Sequence, residues 1–295
     1  MPKPHRFDHD PYRIEPGTAV DLKKRSTGPP EEFAGRKQAK KALADDVSAL
    51  AEAQQVLYAD ARFALLIIFQ AMDAAGKDGT IRHVMSGVNP QGCTVQSFGP
   101  PSEEELGHHF LWRPMRFLPA KGRIGIFNRS YYEETLVVRV HPEYLKPQKL
   151  PPGHKPKKLW KQRFEDINGF EHTLTRSGTA ILKFFLHVSK DEQKRRFLDR
   201  LNEPKKHWKF NAADLKERGH WDEYRHAFEE MLSATSTRWA PWYAIPADDK
   251  WFMRALVADI IAKRIGELDL RYPSVSEDDQ AELAIAKESL LNEDD

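Results

Sequence analysis

The sequence predicts an α/β fold built on a mostly parallel β-sheet. Short apolar runs of strand length alternate with longer segments in which apolar residues recur at helical spacing. Strands that alternate with helices favour βαβ units, which place ligands at the carboxyl ends of the strands. The 295 residues can bury one large core or two modest ones, and 40% hydrophobic with 31% charged residues is typical of a globular protein.

The N-terminal part predicts an irregular arm, a helix and a strand. Residues 1–30 are rich in Pro and basic residues, which favours irregular structure. Residues 31–59 carry Ala, Leu and Val at helical spacing among charges, which predicts an amphipathic helix. The continuous apolar run "RFALLIIF" (62–69) suits a central parallel strand that is covered on both faces.

A turn, two helices and a second strand are predicted next. The turn leads into a helix from about Lys77 to Ser86, and "CTVQSFG" (93–99) predicts a strand. Ser102 and Glu105 form the S-x-x-E pattern of a capping box, so we expect a helix from there until near Pro114.

The middle of the chain predicts two further strands around a helix. "GRIGIFN" (122–128) reads as the third strand and ends abruptly in the polar "RSYYEE". The Pro- and Lys-rich residues 141–158 predict a loop or an irregular insertion. Residues 158–175 are expected to be helical, and "AILKFFLHV" (180–188) predicts the fourth strand.

The last elements complete the alternation. Ser189, with Glu192 three places on, predicts the cap of a basic helix. Residues 221–234 and 249–267 predict helices around a short strand at 242–247.

We expect one domain, flanked by two ends without regular structure. The domain spans residues 31–270, with an arm at 1–30 and an acidic tail at 271–295. No internal repeat is visible in the sequence.

Charge is unevenly distributed, although the net charge is only +2. Arg139 to Arg163 contains eight Lys/Arg against one acid, and Lys194 to Lys209 contains seven against two. From Ser276 to the end, eight acids stand against one lysine. The basic segments predict an anionic partner, with a merely solvated surface as the alternative. The acidic tail offsets their charge, so the net charge does not reveal them.

Several classes of protein are disfavoured by the sequence. No stretch approaches the roughly 20 apolar residues that span a bilayer, so no membrane partner is expected. The N-terminus lacks the apolar region of a signal peptide. The single cysteine, Cys93, leaves no internal disulfide and no cysteine-based metal cluster. A cytoplasmic location is the simplest expectation.

The turn after the first strand resembles a phosphate-binding loop. "AMDAAGKD" (71–78) approximates G-x-x-x-x-G-K-[ST], but Ala71 replaces the first glycine and Asp78 replaces the Ser or Thr that contacts magnesium. Gly76 lets the backbone approach phosphate oxygens, and Lys77 can neutralise a transferred phosphoryl group. A carboxylate beside phosphates needs a cation between them, so Asp73 is the candidate magnesium ligand. The alternative is a structural turn with an incidental Gly-Lys.

The end of the third strand supplies further candidates. Asn128 ends the strand where P-loop kinases carry a metal-binding acid, so it is a neutral ligand at best. Glu133 can ligate the metal or orient the attacking phosphate, and Arg129 can grip phosphate with its fork of donors. The alternatives are an exposed acid at a helix start for Glu133 and a structural salt bridge for Arg129.

"MDAAGKDGTIRH", "IGIFNRSYYEE", "HWKF" and "APWYAIPADDKWFMRA" together resemble polyphosphate kinase family 2, over about residues 30 to 267. The resemblance implies a P-loop kinase-like three-layer α/β/α fold with a helical lid. It implies reversible phosphoryl transfer between inorganic polyphosphate and AMP, ADP or ATP, with GMP and GDP as further candidate acceptors. Mg²⁺ is the implied cofactor, with Mn²⁺ as an alternative ion. A dimer or tetramer is implied by the family alone.

The resemblance also implies roles for individual residues. Asp73, Lys77, Asn128, Arg129 and Glu133 fall on the family's Walker A and Walker B positions. The pairing of Asn128 with Glu133 resembles the class III subgroup, which phosphorylates both AMP and ADP. Asp73, Lys77, Arg129 and Glu133 are the catalytic candidates, and Asp73 and Glu133 the metal ligands.

The basic segment after the fourth strand lies where a kinase lid belongs, at about 190–220. Polyphosphate presents no base, so it needs a track of Lys and Arg whose binding weakens with salt. Arg196 and Arg200 share a helix face and are the strongest lid candidates. Residues 146–161 either hold the far end of the polymer or lie solvated. The predicted polyphosphate- and nucleotide-binding residues are Ala74, Ala75, Gly76, Asp78, Gly79, Thr80, Arg82, Arg113, Asn128, Arg196, Arg200 and Lys209.

Two rival functions remain open. A nucleotide kinase of the thymidylate kinase-like fold would take phosphate from ATP, but ATP needs only a few positive groups rather than a basic lid. A nucleic-acid-binding protein could use the same basic segments, but it has no reason to place Asp73, Lys77 and Arg129 at strand ends. Nucleic acid is therefore not an expected partner.

Overall fold

A computed structural model describes residues 7–33, 35–152 and 156–293, without the side chains of Pro156, Lys157 and Lys209. These residues form one five-stranded sheet with the order β2-β3-β1-β4-β5, in which every neighbouring pair is parallel. The strands are β1 (Ala64–Ala71), β2 (Cys93–Ser97), β3 (Ile124–Asn128), β4 (Thr179–His187) and β5 (Trp242–Pro246). The predicted parallel α/β fold is confirmed.

Helices cover both faces of this sheet, together with short 3₁₀ segments between them. The helices are α1 (Arg36–Asp60), α2 (Lys77–Val84), α3 (Glu103–Leu106), α4 (Trp112–Met115), α5 (Val137–Val140), α6 (Pro156–Arg176), α7 (Lys190–Asn202), α8 (Ala212–Gly219), α9 (Trp221–Thr235), α10 (Lys250–Gly266) and α11 (Glu277–Leu291). The 3₁₀ segments are Asp10–Tyr12, Leu22–Lys24, Pro90–Gly92, Tyr131–Thr135, Pro142–Gln148 and Pro204–Lys209.

Alternation along the central strand builds a core on each face of the sheet. Leu65 and Ile67 of β1 belong to the core that contains α1 and α10 residues such as Leu256. Leu66 and Ile68 point the other way, into the core formed with α6 and α9. Because successive strand side chains point to opposite faces, the run "ALLIIF" is apolar throughout and fully covered. The result is a three-layer α/β/α arrangement.

Strand register brings the carboxyl ends of the inner strands to one edge. Phe69 of β1 pairs with Asn128 of β3 and with Phe184 of β4, and Asn128 also pairs with Ser97 of β2. The residues that follow β1 and β3 therefore lie side by side, as expected for ligand-binding loops of parallel sheets.

The helix predicted from Ser102 to near Pro114 is wrong, although its start is correct. Ser102 and Glu105 form the expected capping box, but α3 ends at Leu106. The N–H of Gly107 turns back onto the carbonyls of Glu103 and Glu104, which closes the helix. A separate short helix, α4, contains Pro114 in its first turn, where the missing N–H has no intrahelical partner to lose.

The described parts of the two ends, residues 7–30 and 271–293, are more ordered than the sequence indicates, and the rest of the predicted arm and tail lies outside the described residues. The arm is irregular but packed: the N–H of Ile14 donates to the Trp242 carbonyl at 2.8 Å, and buried His9 pairs with Asp259 at 2.9 Å. The acidic end forms α11, which begins with a capping box at Ser276 and exposes all its residues. No helix within the described ranges is long and apolar enough to cross a bilayer.

Candidate active site

The loop between β1 and α2, residues 72–76, forms a tight turn over the sheet edge. Gly76 has φ 109°, and a Cβ there would lie 3.3 Å from the Met253 side chain, so glycine suits both the backbone and the space. Lys77 begins α2, is 9% exposed and donates from Nζ to the Ala71 carbonyl at 3.1 Å. The first N–H groups of α2 have no partner within the helix, which makes this turn a suitable anion cradle.

Two residues of this edge hold left-handed backbone conformations without being glycine. Ala74 has φ 60° and Arg129, directly after β3, has φ 64°. The Arg129 N–H donates to the Phe69 carbonyl at 3.0 Å, which fixes this turn onto β1. Such conformations cost about 1–3 kcal/mol each and concentrate at functional sites.

Arg129 joins the two carboxylates that the sequence predicts as metal ligands. Its Nη2 donates to Asp73 Oδ1 at 2.9 Å, and its Nη1 lies 3.6 Å from Glu133 Oε2. Burial raises the pKa of the Glu133 carboxyl, opposed by Arg129 and Lys77, whereas burial lowers the pKa of the Lys77 ammonium. The structure thus brings Asp73, Lys77, Arg129 and Glu133 together; we name them the charged quartet.

Asn128 and Asp78 bond to each other beside the charged quartet. Asn128 Nδ2 donates to Asp78 Oδ1 at 2.8 Å and also contacts Ser97 Oγ at 3.3 Å. This contact links the end of β3 to the first turn of α2. Asp78, at the Ser/Thr position of the usual loop pattern, therefore faces the end of β3.

The carboxylates alone do not enclose a metal ion. Among the described residues, no three His, Cys, Asp or Glu side chains gather as a metal site. Asp73 and Glu133 are each about a quarter exposed, and Mg²⁺ commonly takes one or two carboxylates plus phosphate oxygens and water. The nearby Gln70 Oε1 is buried without a hydrogen-bond partner. These oxygen donors fit a hard divalent cation that also binds substrate phosphates.

The 3₁₀ segment that carries Glu133 rests on a buried polar network. Tyr131 and Tyr132 both donate to Glu171 Oε1, at 2.8 and 2.7 Å. Lys183 of β4 is fully buried and donates to Glu171 Oε2 at 2.6 Å, to the Tyr132 hydroxyl at 2.9 Å and to the Thr235 carbonyl at 2.7 Å. We name these four side chains the tyrosine network.

The basic helix α7 is clamped to the phosphate loop. Arg196 is 5% exposed and donates to the carbonyls of Ala74, Ala75 and Ala247 at 3.1, 2.6 and 2.5 Å. Gln193 Nε2 donates to the Asp73 carbonyl at 2.9 Å. Arg196 and Arg200 both line the small cleft over this loop, and the Arg196 guanidinium also braces the loop backbone. Their role as lid residues stays a prediction.

A small polar cleft of about 330 Å³ lies over the loop. Its lining includes Arg200, Lys206 and Lys250 together with Asp73 and Lys77. Arg200 also pairs with Asp214 at 3.3 Å, which connects α7 to α8. The side chain of Lys209 lies outside the described atoms.

A larger cleft of about 800 Å³ opens on the other side of Asp73 and Arg129. Phe98, Phe110 and Arg163 are among its lining residues, and the Arg163 guanidinium lies 4.0 Å from the Phe110 ring centre. Burial raises the pKa of the Glu134 carboxyl in this cleft, and Arg163 opposes the shift. No local pattern in the sequence predicts this cleft, because its walls come from segments far apart in the chain.

The remaining predicted residues are distributed unevenly around the two clefts. Arg113 lines the large cleft and pairs with Glu105 at 3.0 Å, so it does not extend the small one. Thr80 is fully buried and donates to the Gly76 carbonyl, which supports α2 rather than the cleft. Gly79 lines the small cleft, whereas Arg82 is exposed on α2.

Comparison with known proteins identifies relatives over most of this chain. Residues 34–272 match the family model described as polyphosphate kinase 2 (PPK2). An "ADP-polyphosphate phosphotransferase" of Rhodopseudomonas palustris is 50% identical over 281 residues, covering 95% of this chain and 97% of the relative. An "AMP/ADP-polyphosphate phosphotransferase" of Meiothermus ruber is 45% identical, covering 89% and 94%.

A solved structure agrees with these matches. The crystal structure of polyphosphate kinase 2 from Arthrobacter aurescens TC1 superimposes with a TM-score of 0.84 at 38% sequence identity. The match covers 93% of this chain and 95% of that chain, so the whole three-layer arrangement is shared.

Proposed function

This chain belongs to the polyphosphate kinase 2 family, and from this premise we propose that it transfers phosphoryl groups from inorganic polyphosphate to AMP and ADP. One observation carries the proposal: Asp73 and Arg129 line both clefts. The small cleft is rich in cations and suits a phosphate chain. The large cleft contains aromatic side chains and a buried arginine, which suit a nucleotide.

The donor end lies in the small cleft. Lys77 and the N–H groups at the start of α2 hold its terminal phosphoryl group, and the Arg196 clamp keeps the loop backbone in place. Arg129 offsets negative charge in the transition state from the junction of the clefts. The acceptor phosphate attacks in line, and it needs no strong base because its oxygen is already anionic at neutral pH.

Phosphoryl transfer in this family uses a divalent metal ion, and Mg²⁺ is the ion we propose. Asp73 and Glu133 would hold it, with phosphate oxygens and water completing its ligands. When bound, the ion neutralises charge on the phosphates. Arg129 bridges the same two carboxylates, so it keeps them oriented toward one point.

The subgroup that phosphorylates both AMP and ADP is the finer part of the proposal. Asn128 and Glu133 flank the junction of the clefts, and the Meiothermus ruber relative bears a name with both acceptors. The Rhodopseudomonas palustris relative is named for ADP alone.

A turnover assay with long-chain polyphosphate as sole donor tests the proposal. AMP and ADP are supplied separately with Mg²⁺, and ADP and ATP are measured as products, with Lys77→Ala in parallel. We expect both acceptors to be phosphorylated and the kcat of the variant to fall about 10²–10³-fold. ATP formation from ADP alone would contradict the subgroup, and turnover with ATP as the only working donor would favour an ordinary nucleotide kinase.

A further inference from the structure

Three cationic side chains contact Trp251, near the amino ends of α1 and α10. The Trp251 ring centre lies 4.8 Å from Arg36 Cζ, 4.9 Å from Lys40 Nζ and 5.2 Å from Arg254 Cζ. Arg82 of α2 acts electrostatically on Arg254, and Lys250 begins α10 directly before Trp251; we name these five cations the Trp251 cluster.

The Trp251 cluster has no carboxylate within ion-pair distance in the described residues, although Glu192 and Asp199 of α7 act on Lys250 from farther away. By contrast, Arg195, on α7, pairs with Glu192 and Asp199. Burial and the neighbouring Arg82 lower the pKa of Arg254, whose Nε is buried without a hydrogen-bond partner. Cations that repel one another and are partly desolvated are unfavourable unless an anion joins them.

The Trp251 cluster adjoins the small cleft. Lys250 lines that cleft, and Arg254 lies one helical turn further along α10. Arg254 Nη2 is 3.4 Å from the position that a Cβ would take on Gly79, in the first turn of α2. A continuous row of positive charge therefore leads from the phosphate loop to Arg36 and Lys40 on the surface.

The geometry of phosphoryl transfer indicates where the donor chain lies relative to this row of cations. In-line displacement places the attacking oxygen and the leaving oxygen on opposite sides of the transferred phosphorus. The large cleft lies on the side of the sheet that carries α6 and α9, whereas α1, α2 and α10 cover the other side. If the acceptor occupies the large cleft, the rest of the bound donor chain extends in the opposite direction, over α2 and α10.

We propose that the Trp251 cluster binds the distal part of the polyphosphate donor, beyond the units held by the phosphate loop. This inference rests on the proposed function and deepens it. The chain of phosphates supplies close counter-ions for the five cations, and cation–π contacts hold Arg36, Lys40 and Arg254 around the Trp251 ring. Binding there depends on donor length, because a short donor ends before it reaches Arg36 and Lys40.

The test compares donors of different length in the double variant Arg36→Gln/Lys40→Gln. Both side chains are exposed and lie outside the charged quartet. The matched control is Arg176→Gln/Arg271→Gln, which removes two exposed charges near the amino ends of β4 and β1. Each protein is assayed with long-chain polyphosphate and with the shortest oligophosphate that the wild type turns over, at several salt concentrations.

We expect the double variant to raise KM for long-chain polyphosphate about fivefold or more and to leave KM for the short donor unchanged. Loss of two phosphate contacts should reduce the slope of log KM against log salt by about 1.4 for a single-stranded polyanion. The control should match the wild type with both donors.

Other outcomes separate this inference from the proposed function. If the wild type fails with every polyphosphate, the proposed function is wrong. If the wild type is active and the double variant matches the control, or loses activity equally with both donors, the Trp251 cluster is not a distal donor site.

Discussion

The tyrosine network and the charged quartet both involve the 3₁₀ segment Tyr131–Thr135, but their hydrogen bonding differs. Lys183 donates to three oxygens and is fully buried, whereas Lys77 donates to one carbonyl within the described residues. An ammonium group has three donors, so Lys183 is satisfied and Lys77 keeps donors for a ligand. One cluster is completed by the protein itself, and the other keeps donors free for the phosphate that we propose binds there.

The comparison explains how the site stays in place without its substrate. Tyr131 and Tyr132 fix the segment through their hydrogen bonds to buried Glu171, and Glu133, the next residue, lines the large cleft. Repulsion or attraction within the charged quartet therefore acts on a segment that is already fixed. Substitutions in the tyrosine network should accordingly lower stability, whereas substitutions in the charged quartet should lower catalytic activity.

The largest effect is expected from Lys183→Met, which would break the tyrosine network. The substitution leaves the Glu171 carboxylate buried without its cation, and breaking a buried pair costs about 3–5 kcal/mol of unfolding free energy. Urea unfolding measures the loss. The control is Lys183→Met/Glu171→Leu, which should recover part of the stability because both charges are gone; a stable single variant would contradict the comparison.

The second effect is expected from Lys77→Ala in the charged quartet. Removal of a preorganised donor to developing charge lowers kcat about 10²–10³-fold. The urea midpoint should change little, because Lys77 makes one hydrogen bond in the structure. Lys161→Ala, an exposed lysine on α6, is the control. A Lys77→Ala protein that unfolds easily would mean that the charged quartet is structural.

A smaller effect is expected from Arg129→Lys, which keeps the positive charge but loses the planar guanidinium with its several N–H donors. The guanidinium reaches Asp73 and Glu133 at once, which an ammonium on a lysine stem does not reproduce. We expect kcat/KM to fall about tenfold, which corresponds to about 1.4 kcal/mol. Retention of full activity would show that charge alone matters at this position.

The smallest effect is a change in the pH dependence of stability caused by Glu133→Gln. Burial raises the pKa of Glu133 in the folded state, so the folded protein binds the proton more tightly than the unfolded chain does. Wild-type stability should therefore fall as the pH rises above the ordinary glutamate range, near about 4.3, through the raised pKa.

Urea midpoints across a pH series measure the difference between this variant and the wild type. We expect the variant to gain stability relative to the wild type as the pH rises. A difference that stays constant with pH would show that Glu133 ionises as it does in the unfolded chain.

The sequence was sufficient for the sheet and for the residues at its carboxyl edge. The run "ALLIIF" is apolar on both strand faces, so β1 had to be central. Asp73 and Arg129 follow neighbouring parallel strands, so their proximity followed from topology. These features depend on local composition and on strand order alone.

Other features depend on contacts that spacing does not encode. Helical spacing placed Arg196 and Arg200 on one face, but only packing shows that Arg196 faces the loop backbone. The large cleft combines Phe98 and Arg163, which belong to different layers of the fold. The Trp251 cluster was likewise not visible in the sequence, because it combines Arg36 and Arg254 from opposite ends of the chain.

The left-handed backbone at Ala74 and Arg129 has a consequence for protein engineering. Glycine relaxes such positions, so a library selected only for heat resistance should accumulate glycine there. At Arg129 that gain would remove the guanidinium that bridges Asp73 and Glu133. Directed evolution of this enzyme toward thermal tolerance therefore has to select for turnover in every round. Otherwise it will select stable variants that have lost activity.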